Sequence, residues 1–212
     1  KPLCGTVSFM QPSPSHPSFF CDWGILAVFT AGFLFRGNTE FLLYAVTLAV
    51  LILVVQRSHR VFAYPPLALW GFTAWLVMHM CGGFVRLGGT RLYDLVLVPL
   101  VPAPYHILRY DQFVHAACYF VITLLLGRVV ALRAGAQTGT AAVRLLAALA
   151  AMGVGALNEV VEFLAVAFLG AADGVGDYIN NAQDICFNAL GALAALPLVR
   201  RDSRVPVAAP PV

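Results

Sequence analysis

Pairs of ionisable residues recur at helical spacing inside long apolar stretches of this chain. Glu159 and Glu162 are three residues apart, so both lie on one face of a helix. Asp111 and His115, four residues apart, form a second pair of this kind. Pairs at these spacings build metal sites in helical bundles, and mixed oxygen and nitrogen ligands suit a divalent ion. The carboxylates could instead share protons, because packed carboxylates do not all stay ionised in a low dielectric.

Two further polar residues are expected at the depth of these pairs. At a rise of about 1.5 Å per residue, His79 and Asp184 lie roughly 7–12 Å below one membrane surface, level with both pairs. Ionisable groups at that depth are costly unless they pair or bind an ion. We therefore predict a divalent metal site formed by His79, Asp111, His115, Glu159, Glu162 and Asp184. Glu159 and Glu162 are also the predicted catalytic residues, because a carboxylate can act as a general base.

Simpler roles are open for some of these residues. His79 could be a histidine that hydrogen bonds a neighbouring helix, and Asp111 could do no more than cap the start of one. Glu159 and Glu162 are harder to explain in this way. A helix interior in lipid has no free backbone donors that would satisfy two carboxylates.

The composition requires that lipid cover most of the surface. The chain has 212 residues, of which 60% are hydrophobic and 11% charged, whereas a soluble domain is about a quarter charged. This excludes an ordinary soluble enzyme. The formal net charge is only +3, and the arginines lie at the ends of apolar runs instead of forming a basic patch. We therefore expect membrane lipid, and no nucleic acid, as a partner.

Six apolar stretches approach the length of about 20 residues that a membrane-crossing helix needs. They cover residues 19–35, 41–56, 65–87, 111–132, 141–169 and 178–199. The predicted fold class is an all-α polytopic membrane helix bundle of about six transmembrane helices. It has a Pro- and Ser-rich N-terminal segment (1–18), a transmembrane domain (19–200) and a C-terminal tail (201–212). Prolines interrupt residues 88–110, which are predicted to form an interfacial or re-entrant loop.

The distribution of Lys and Arg predicts the orientation, because cytoplasmic loops carry the excess of these residues. Six spans place nine of them on one side: Lys1, Arg57, Arg60, Arg128, Arg133, Arg144, Arg200, Arg201 and Arg204. The other side receives Arg36, Arg86, Arg91 and Arg109. Both termini are thus expected in the cytoplasm, with the predicted site in the outward half. Of the outward arginines, Arg86, Arg91 and Arg109 could bind an anionic headgroup or act as counter-ions to Asp and Glu, and the sequence favours neither.

Four motifs carry the polar residues of the predicted site. They are Met78-His79-Met80-Cys81-Gly82-Gly83, Tyr110-Asp111-Gln112-Phe113-Val114-His115, Asn158-Glu159-Val160-Val161-Glu162-Phe163, and Gln183-Asp184-Ile185-Cys186-Phe187-Asn188-Ala189-Leu190-Gly191-Ala192. In this order they resemble the YjdF family of uncharacterised bacterial inner-membrane proteins, and more faintly the VanZ-like membrane proteins associated with antibiotic resistance. The resemblance implies a multi-pass protein of the bacterial inner membrane and implies no particular reaction. The chain departs from the YjdF pattern at Gln112, Phe163 and Asn180, where that family has Arg, Trp and Asp.

Three functions are consistent with this pattern. The first is metal-assisted or acid–base chemistry on a lipid or envelope substrate, with water activation favoured because no Ser or Cys has a paired base. The second is cation or proton transport, for which the apolar inner halves of the stretches are unfavourable. The third is a structural or accessory subunit of a larger membrane complex, or a homo-oligomer, in which small residues such as Gly153 and Gly155 permit helix contact. Whether the protein is an enzyme stays open at this point.

Overall fold

The computed structural model describes residues 16–37, 40–134, 138–169 and 178–200. Six long helices occupy most of these residues: α1 (Pro17–Phe35), α2 (Glu40–Phe62), α3 (Pro66–Phe84), α4 (Tyr110–Arg133), α5 (Thr140–Leu169) and α6 (Tyr178–Ala195). Nearly all of the predicted N-terminal segment and the whole of the predicted C-terminal tail lie outside the described residues.

Five of the helices, α1 to α5, are long and apolar enough to cross a membrane. The sixth helix, α6, is not among them, because amide and carboxylate side chains occupy one of its faces. Helices also account for all the long elements of the described chain. The prediction of an all-α polytopic membrane bundle is therefore confirmed, and the chain is a membrane protein.

Helix α2 continues past its predicted end at Gln56 as far as Phe62. Basic residues of this segment indicated a membrane boundary in the sequence, yet they lie in the last turns of the helix. A helix satisfies its own backbone hydrogen bonds whether its side chains face lipid or water, so it need not end at that boundary. The turn that follows is closed by His59, whose Nδ1 accepts a hydrogen bond of 3.1 Å from the backbone N–H of Tyr64.

The helices pack as two groups, α1 to α3 and α4 to α6, and α3 joins the groups by packing against α4. Glycines permit close approach within the second group. A Cβ at Gly191 of α6 would overlap the backbone carbonyl of Ala116 in α4. A Cβ at Gly155 of α5 would come within 3.1 Å of the Asn188 amide and of the Tyr119 ring. Because a backbone carbonyl has no rotamer that moves it aside, the contact between α4 and α6 requires glycine at position 191.

The chain between α3 and α4 forms two short antiparallel hairpins, which we call the hairpin segment (86–109). Strand β1 (Arg86–Leu87) pairs with β2 (Thr90–Arg91), strand β3 (Val96–Val101) pairs with β4 (Ile107–Arg109), and a 3-10 turn (Leu92–Asp94) separates the pairs. The sequence predicted a loop here and no strands. Prolines exclude a helix, but they are compatible with edge strands, whose outer N–H groups need no partner. Whether the segment lies at the interface or re-enters the membrane stays a prediction.

Candidate functional site: a carboxylate and histidine cluster

The site lies where α4 begins, at the end of the bundle that carries the hairpin segment. At its centre is His115 of α4. Its Nε2 is 3.7 Å from Asp111 Oδ1 and 3.9 Å from Asp184 Oδ2. Its Nδ1 is 3.7 Å from Glu159 Oε1 and 3.1 Å from Asn188 Oδ1. One imidazole therefore connects side chains of α4, α5 and α6.

Asp184 of α6 is the most deeply buried carboxylate of the site, with a side chain that is 0% exposed. Asn180, one turn earlier on the same helix, donates a hydrogen bond to its Oδ2. The other oxygen, Oδ1, is buried and has no hydrogen-bond partner in the described part of the chain. A buried acceptor without a donor costs about 1–3 kcal/mol, and more when it is charged. A bound cation or a proton at Oδ1 would remove that cost.

The two glutamates of α5 differ in how firmly they are held. Glu159 is buried, and its Oε1 and Oε2 accept hydrogen bonds from the amides of Asn188 and Asn181 at 3.1 and 3.3 Å. Glu162 is partly exposed, and its Oε1 accepts a hydrogen bond of 2.8 Å from Asn158. Two amides thus fix Glu159, whereas Glu162 retains access to the surroundings.

Two sets of three side chains have ligand atoms close enough to share one metal ion. Asp111, His115 and Asp184 form the first set. Glu159, Glu162 and Asp184 form the second, and in each set the ligand atoms lie within 4.8 Å of one another. Asp184 belongs to both sets and is therefore the central carboxylate. The structure thus brings five of the six predicted ligands together.

The sixth predicted ligand, His79 of α3, belongs to neither set found among the described residues. The Tyr93 hydroxyl of the hairpin segment lies 2.8 Å from His79 Nδ1 and donates to the His79 carbonyl oxygen at 2.7 Å. The His79 ring also packs against Trp75 and Tyr44, with centroid separations of 5.3 and 6.1 Å. Burial raises the pKa of Tyr93 well above its ordinary value, so its hydroxyl stays protonated. In this geometry His79 links α3 to the hairpin segment.

Arg109 connects the end of the hairpin segment to α6 beside the carboxylates. Its Nη2 donates to Asn180 Oδ1 at 2.7 Å and to Gln183 Oε1 at 3.2 Å. Gln112 donates to the same Gln183 oxygen at 2.8 Å. Asn180 in turn donates to Asp111 Oδ2 at 3.4 Å. The guanidinium therefore reaches the carboxylates through an amide.

The amides are site residues to which the sequence analysis assigns no role. Asn180 and Asn188 each lie four residues from Asp184, so they share its face of α6. Asn158 likewise lies four residues before Glu162 on α5. Helical spacing from a carboxylate is the sequence feature that marks all three as site residues. A buried carboxylate needs hydrogen-bond donors, and an amide on the same helix face can supply them.

A further buried carboxylate, Asp22 of α1, lies outside the cluster. It is 0% exposed, and its Oδ1 accepts a hydrogen bond of 2.6 Å from the Thr73 hydroxyl of α3. Its Oδ2 has no hydrogen-bond partner among the described residues. Asp22 is not among the predicted site residues, although an Asp inside a membrane-spanning stretch is the same signal that identified Asp184.

Comparison with known proteins gives one family. A family model described as "Predicted membrane protein (DUF2238)" matches residues 21–204. No curated protein and no solved structure matches the chain. The match agrees with the expectation of a membrane-protein family without an assigned reaction, and its description does not contain the name YjdF.

Proposed function

The chain belongs to this family of membrane proteins, and from its site we propose that it holds a divalent metal ion between α4 and α6, beside the glutamates of α5, and uses it to activate water. The substrate class is a lipid or another component of the cell envelope. On the predicted orientation, the site opens toward the outer side of the bacterial inner membrane. Helix α4 begins at Tyr110, so His115 is about 8 Å from that helix end, within reach of lipid headgroups.

One observation carries the proposal: Asp184 Oδ1 is buried without a hydrogen-bond donor from any described residue, beside His115 and Asp111. A cation at this position would replace the missing donor and offset the repulsion between neighbouring carboxylates. Asp22 has a comparable oxygen, but it belongs to neither ligand set of the described residues. A proton is therefore enough to neutralise the lone carboxylate of Asp22, whereas several groups that could bind a metal ion lie around Asp184.

The donor atoms favour particular ions. Asp111, His115 and Asp184 offer two oxygens and one nitrogen, a combination that suits Zn²⁺, Mn²⁺ or Fe²⁺. Ca²⁺ is disfavoured, because it takes about 6–8 oxygen ligands. The all-carboxylate set of Glu159, Glu162 and Asp184 suits Mn²⁺ or Mg²⁺. Asp184 belongs to both sets and would be a ligand in either one.

The residues of the site divide into ligands and a general base. A bound divalent ion lowers the pKa of its coordinated water to about 7 in comparable centres. Glu162 is the residue that we assign as general base, because it is partly exposed and can exchange protons with the surroundings. Glu159, buried and fixed by two amides, orients His115, whose Nδ1 lies 3.7 Å from its Oε1.

Elemental analysis of the purified full chain tests the metal centre. We expect near-stoichiometric divalent metal in the wild type and loss of most of it in Asp184→Asn, which keeps the side-chain shape and removes the charge. Asp22→Asn is the matched control, because it alters a buried intramembrane carboxylate outside both ligand sets and should leave the metal content unchanged. Equal metal in the wild type and in Asp184→Asn, after loading with Zn²⁺ or Mn²⁺ and desalting, would contradict the proposal.

A second measurement separates chemistry from metal storage. We expect the wild type, incubated with bacterial lipid extract, to release hydrolysis products that mass spectrometry detects. Glu162→Gln should retain metal through the first ligand set and lose this release, because it lacks the general base. Identical release by the wild type and Glu162→Gln would exclude Glu162 as the base.

A further inference from the structure

A second polar pocket lies between the ends of α1 and α3, next to the hairpin segment. It has a volume of about 440 Å³ and is lined by Phe33, Arg36, Gly83 and Arg86. None of these residues belongs to the metal-ligand sets. The ion pairs found in the described part of the chain include neither Arg36 nor Arg86. Two cations thus share a cavity, and no carboxylate of the described residues forms an ion pair with either of them.

The guanidinium of Arg36 is held in place by Phe84. Its Nη1 donates to the Phe84 carbonyl oxygen at 2.6 Å, and its Cζ lies 3.7 Å from the Phe84 ring centroid. The ring packs edge-on against Phe29 and Phe33, with centroid separations of 5.4 and 5.2 Å. Gly32 leaves room for it, because a Cβ there would come within 2.8 Å of the ring. Since Arg36 is already ordered, binding a ligand costs little side-chain entropy.

Both guanidiniums keep most of their donors. A guanidinium has about five N–H groups in a fixed planar fork. Arg36 donates one of them to Phe84, and Arg86 donates one to the Gly89 carbonyl oxygen at 3.2 Å. Within the described residues these are their only hydrogen bonds to protein. The remaining N–H groups are available to an anion in the pocket.

The other two arginines at this end of the bundle are engaged differently. Arg91 pairs with Asp94, with Nε 2.8 Å from Oδ2, and Arg109 donates to amides of α6. Described side chains thus engage Arg91 and Arg109, whereas Arg36 and Arg86 have no described acidic partner and remain able to bind an anion.

We propose that the pocket lined by Arg36 and Arg86 binds a phosphate group, presented by a lipid headgroup or free in solution. Planar guanidinium forks match phosphate oxygens in geometry and charge. Phe33 supplies an apolar wall beside the charges, which suits the glycerol backbone of a phospholipid. The proposal is independent of the metal centre, because the two sites share no residue.

Lipid binding to the detergent-purified full chain, measured by native mass spectrometry, tests this assignment. The probe is short-chain phosphatidylglycerol, and the matched lipid is the diacylglycerol with the same acyl chains and no phosphate. We expect the Arg36→Gln, Arg86→Gln double variant to lose about tenfold or more in affinity for phosphatidylglycerol and none for diacylglycerol. Arg86→Gln alone should show part of this loss, and it leaves the contacts of Arg36 with Phe84 intact if the double variant is unstable.

Two control variants separate the pocket from general charge effects. Arg91→Gln removes a paired arginine on the same side, and Arg57→Gln removes an exposed arginine near the other end of α2. Both should bind phosphatidylglycerol as the wild type does. Equal binding by the wild type and Arg86→Gln, or equal binding of both lipids by the wild type, would overturn the proposal. Competition with inorganic phosphate distinguishes free phosphate from the lipid headgroup as the ligand. If phosphate displaces the lipid at equal concentration, the pocket is a site for free phosphate. If it does not, the pocket is a site for the headgroup.

Discussion

Substitution of Gly191 by alanine should push α4 and α6 apart and open the site. A Cβ at this position would lie 2.8 Å from the carbonyl carbon of Ala116 and 2.9 Å from its Cα, and nearer still to the carbonyl oxygen. Ordinary Cβ contacts begin near 3.4 Å, and the carbonyl oxygen is the nearest atom, so the helices must separate by roughly 1 Å or more. The atoms in the way belong to the backbone of α4, so no rotamer change relieves the overlap.

The cost of this separation follows from overpacking in well-packed interiors. Added methyl groups in such places cost about 1–3 kcal/mol, and a backbone contact places Gly191→Ala near the upper value. For a chain of this size, about 3 kcal/mol lowers the apparent Tm by about 6–12 °C. The same movement lengthens the 3.9 Å between His115 Nε2 and Asp184 Oδ2. Bound metal should therefore be lost together with stability.

Thermal unfolding in detergent, followed by tryptophan fluorescence, measures the expected change, and elemental analysis measures the metal. Gly153→Ala on α5 is the matched control, because nothing lies within 4 Å of a Cβ at that position. Alanine is also the better helix former by about 1 kcal/mol, so this variant should unfold at or above the wild-type temperature. If Gly191→Ala unfolded at the same temperature as Gly153→Ala and kept its metal, the close contact between α4 and α6 would be refuted.

Two further predictions concern the hairpin segment and the inner half of the bundle. Tyr93→Phe removes the hydroxyl bonded to His79 and should lower the free energy of unfolding by about 1 kcal/mol. The pKa of Tyr93 is raised in the folded chain, so the unfolded chain loses its proton first as the pH rises. The difference in free energy of unfolding between wild type and Tyr93→Phe should therefore have its full value below about pH 10 and decline above it. A difference that grows with pH would contradict this. Proteoliposomes should show no proton or cation flux, because residues 116–127 and 145–157 contain no Asp, Glu, His, Lys or Arg. Flux that Asp184→Asn abolishes would refute that expectation.

The helices were the most predictable part of the fold, because lipid imposes a minimum apolar length that is visible in sequence. Helix α5 was predicted over residues 141–169 and runs over Thr140–Leu169. The end of α2 was misjudged, since basic residues indicate where lipid ends and not where the helical backbone ends. The sequence did not predict the strands of the hairpin segment. Three of the four have only two or three residues, and their pairing depends on the ends of α3 and α4. Backbone hydrogen bonds of 2.9 Å from Leu92 to Val85 and from Tyr110 to Leu95 hold the segment there.

The candidate site shows what depth along a helix can and cannot predict. Position along the axis predicts which residues share a level, and five of the predicted ligands lie close together in the structure. Rotation about the axis decides which neighbour each side chain faces, and it depends on packing that the sequence does not display. His79 of α3 is the sixth predicted ligand, but its ring contacts Tyr93 and Trp75. The amides of α6 were given no role, because burying an uncharged amide in lipid costs less free energy than burying a carboxylate. An amide in a membrane span therefore does not by itself indicate a site.

The polarity of α6 has a consequence for how the protein is made. Four of its buried side chains are polar: Asn180, Gln183, Asp184 and Asn188. Such a segment gains too little by leaving water to enter the bilayer unaided. Its hydrogen-bond partners lie mainly on α4 and α5, which precede it and emerge from the ribosome earlier. Helix α6 therefore depends on the helices before it for its polar contacts, and a chain that ended before α6 would lack Asp184, the carboxylate common to both ligand sets.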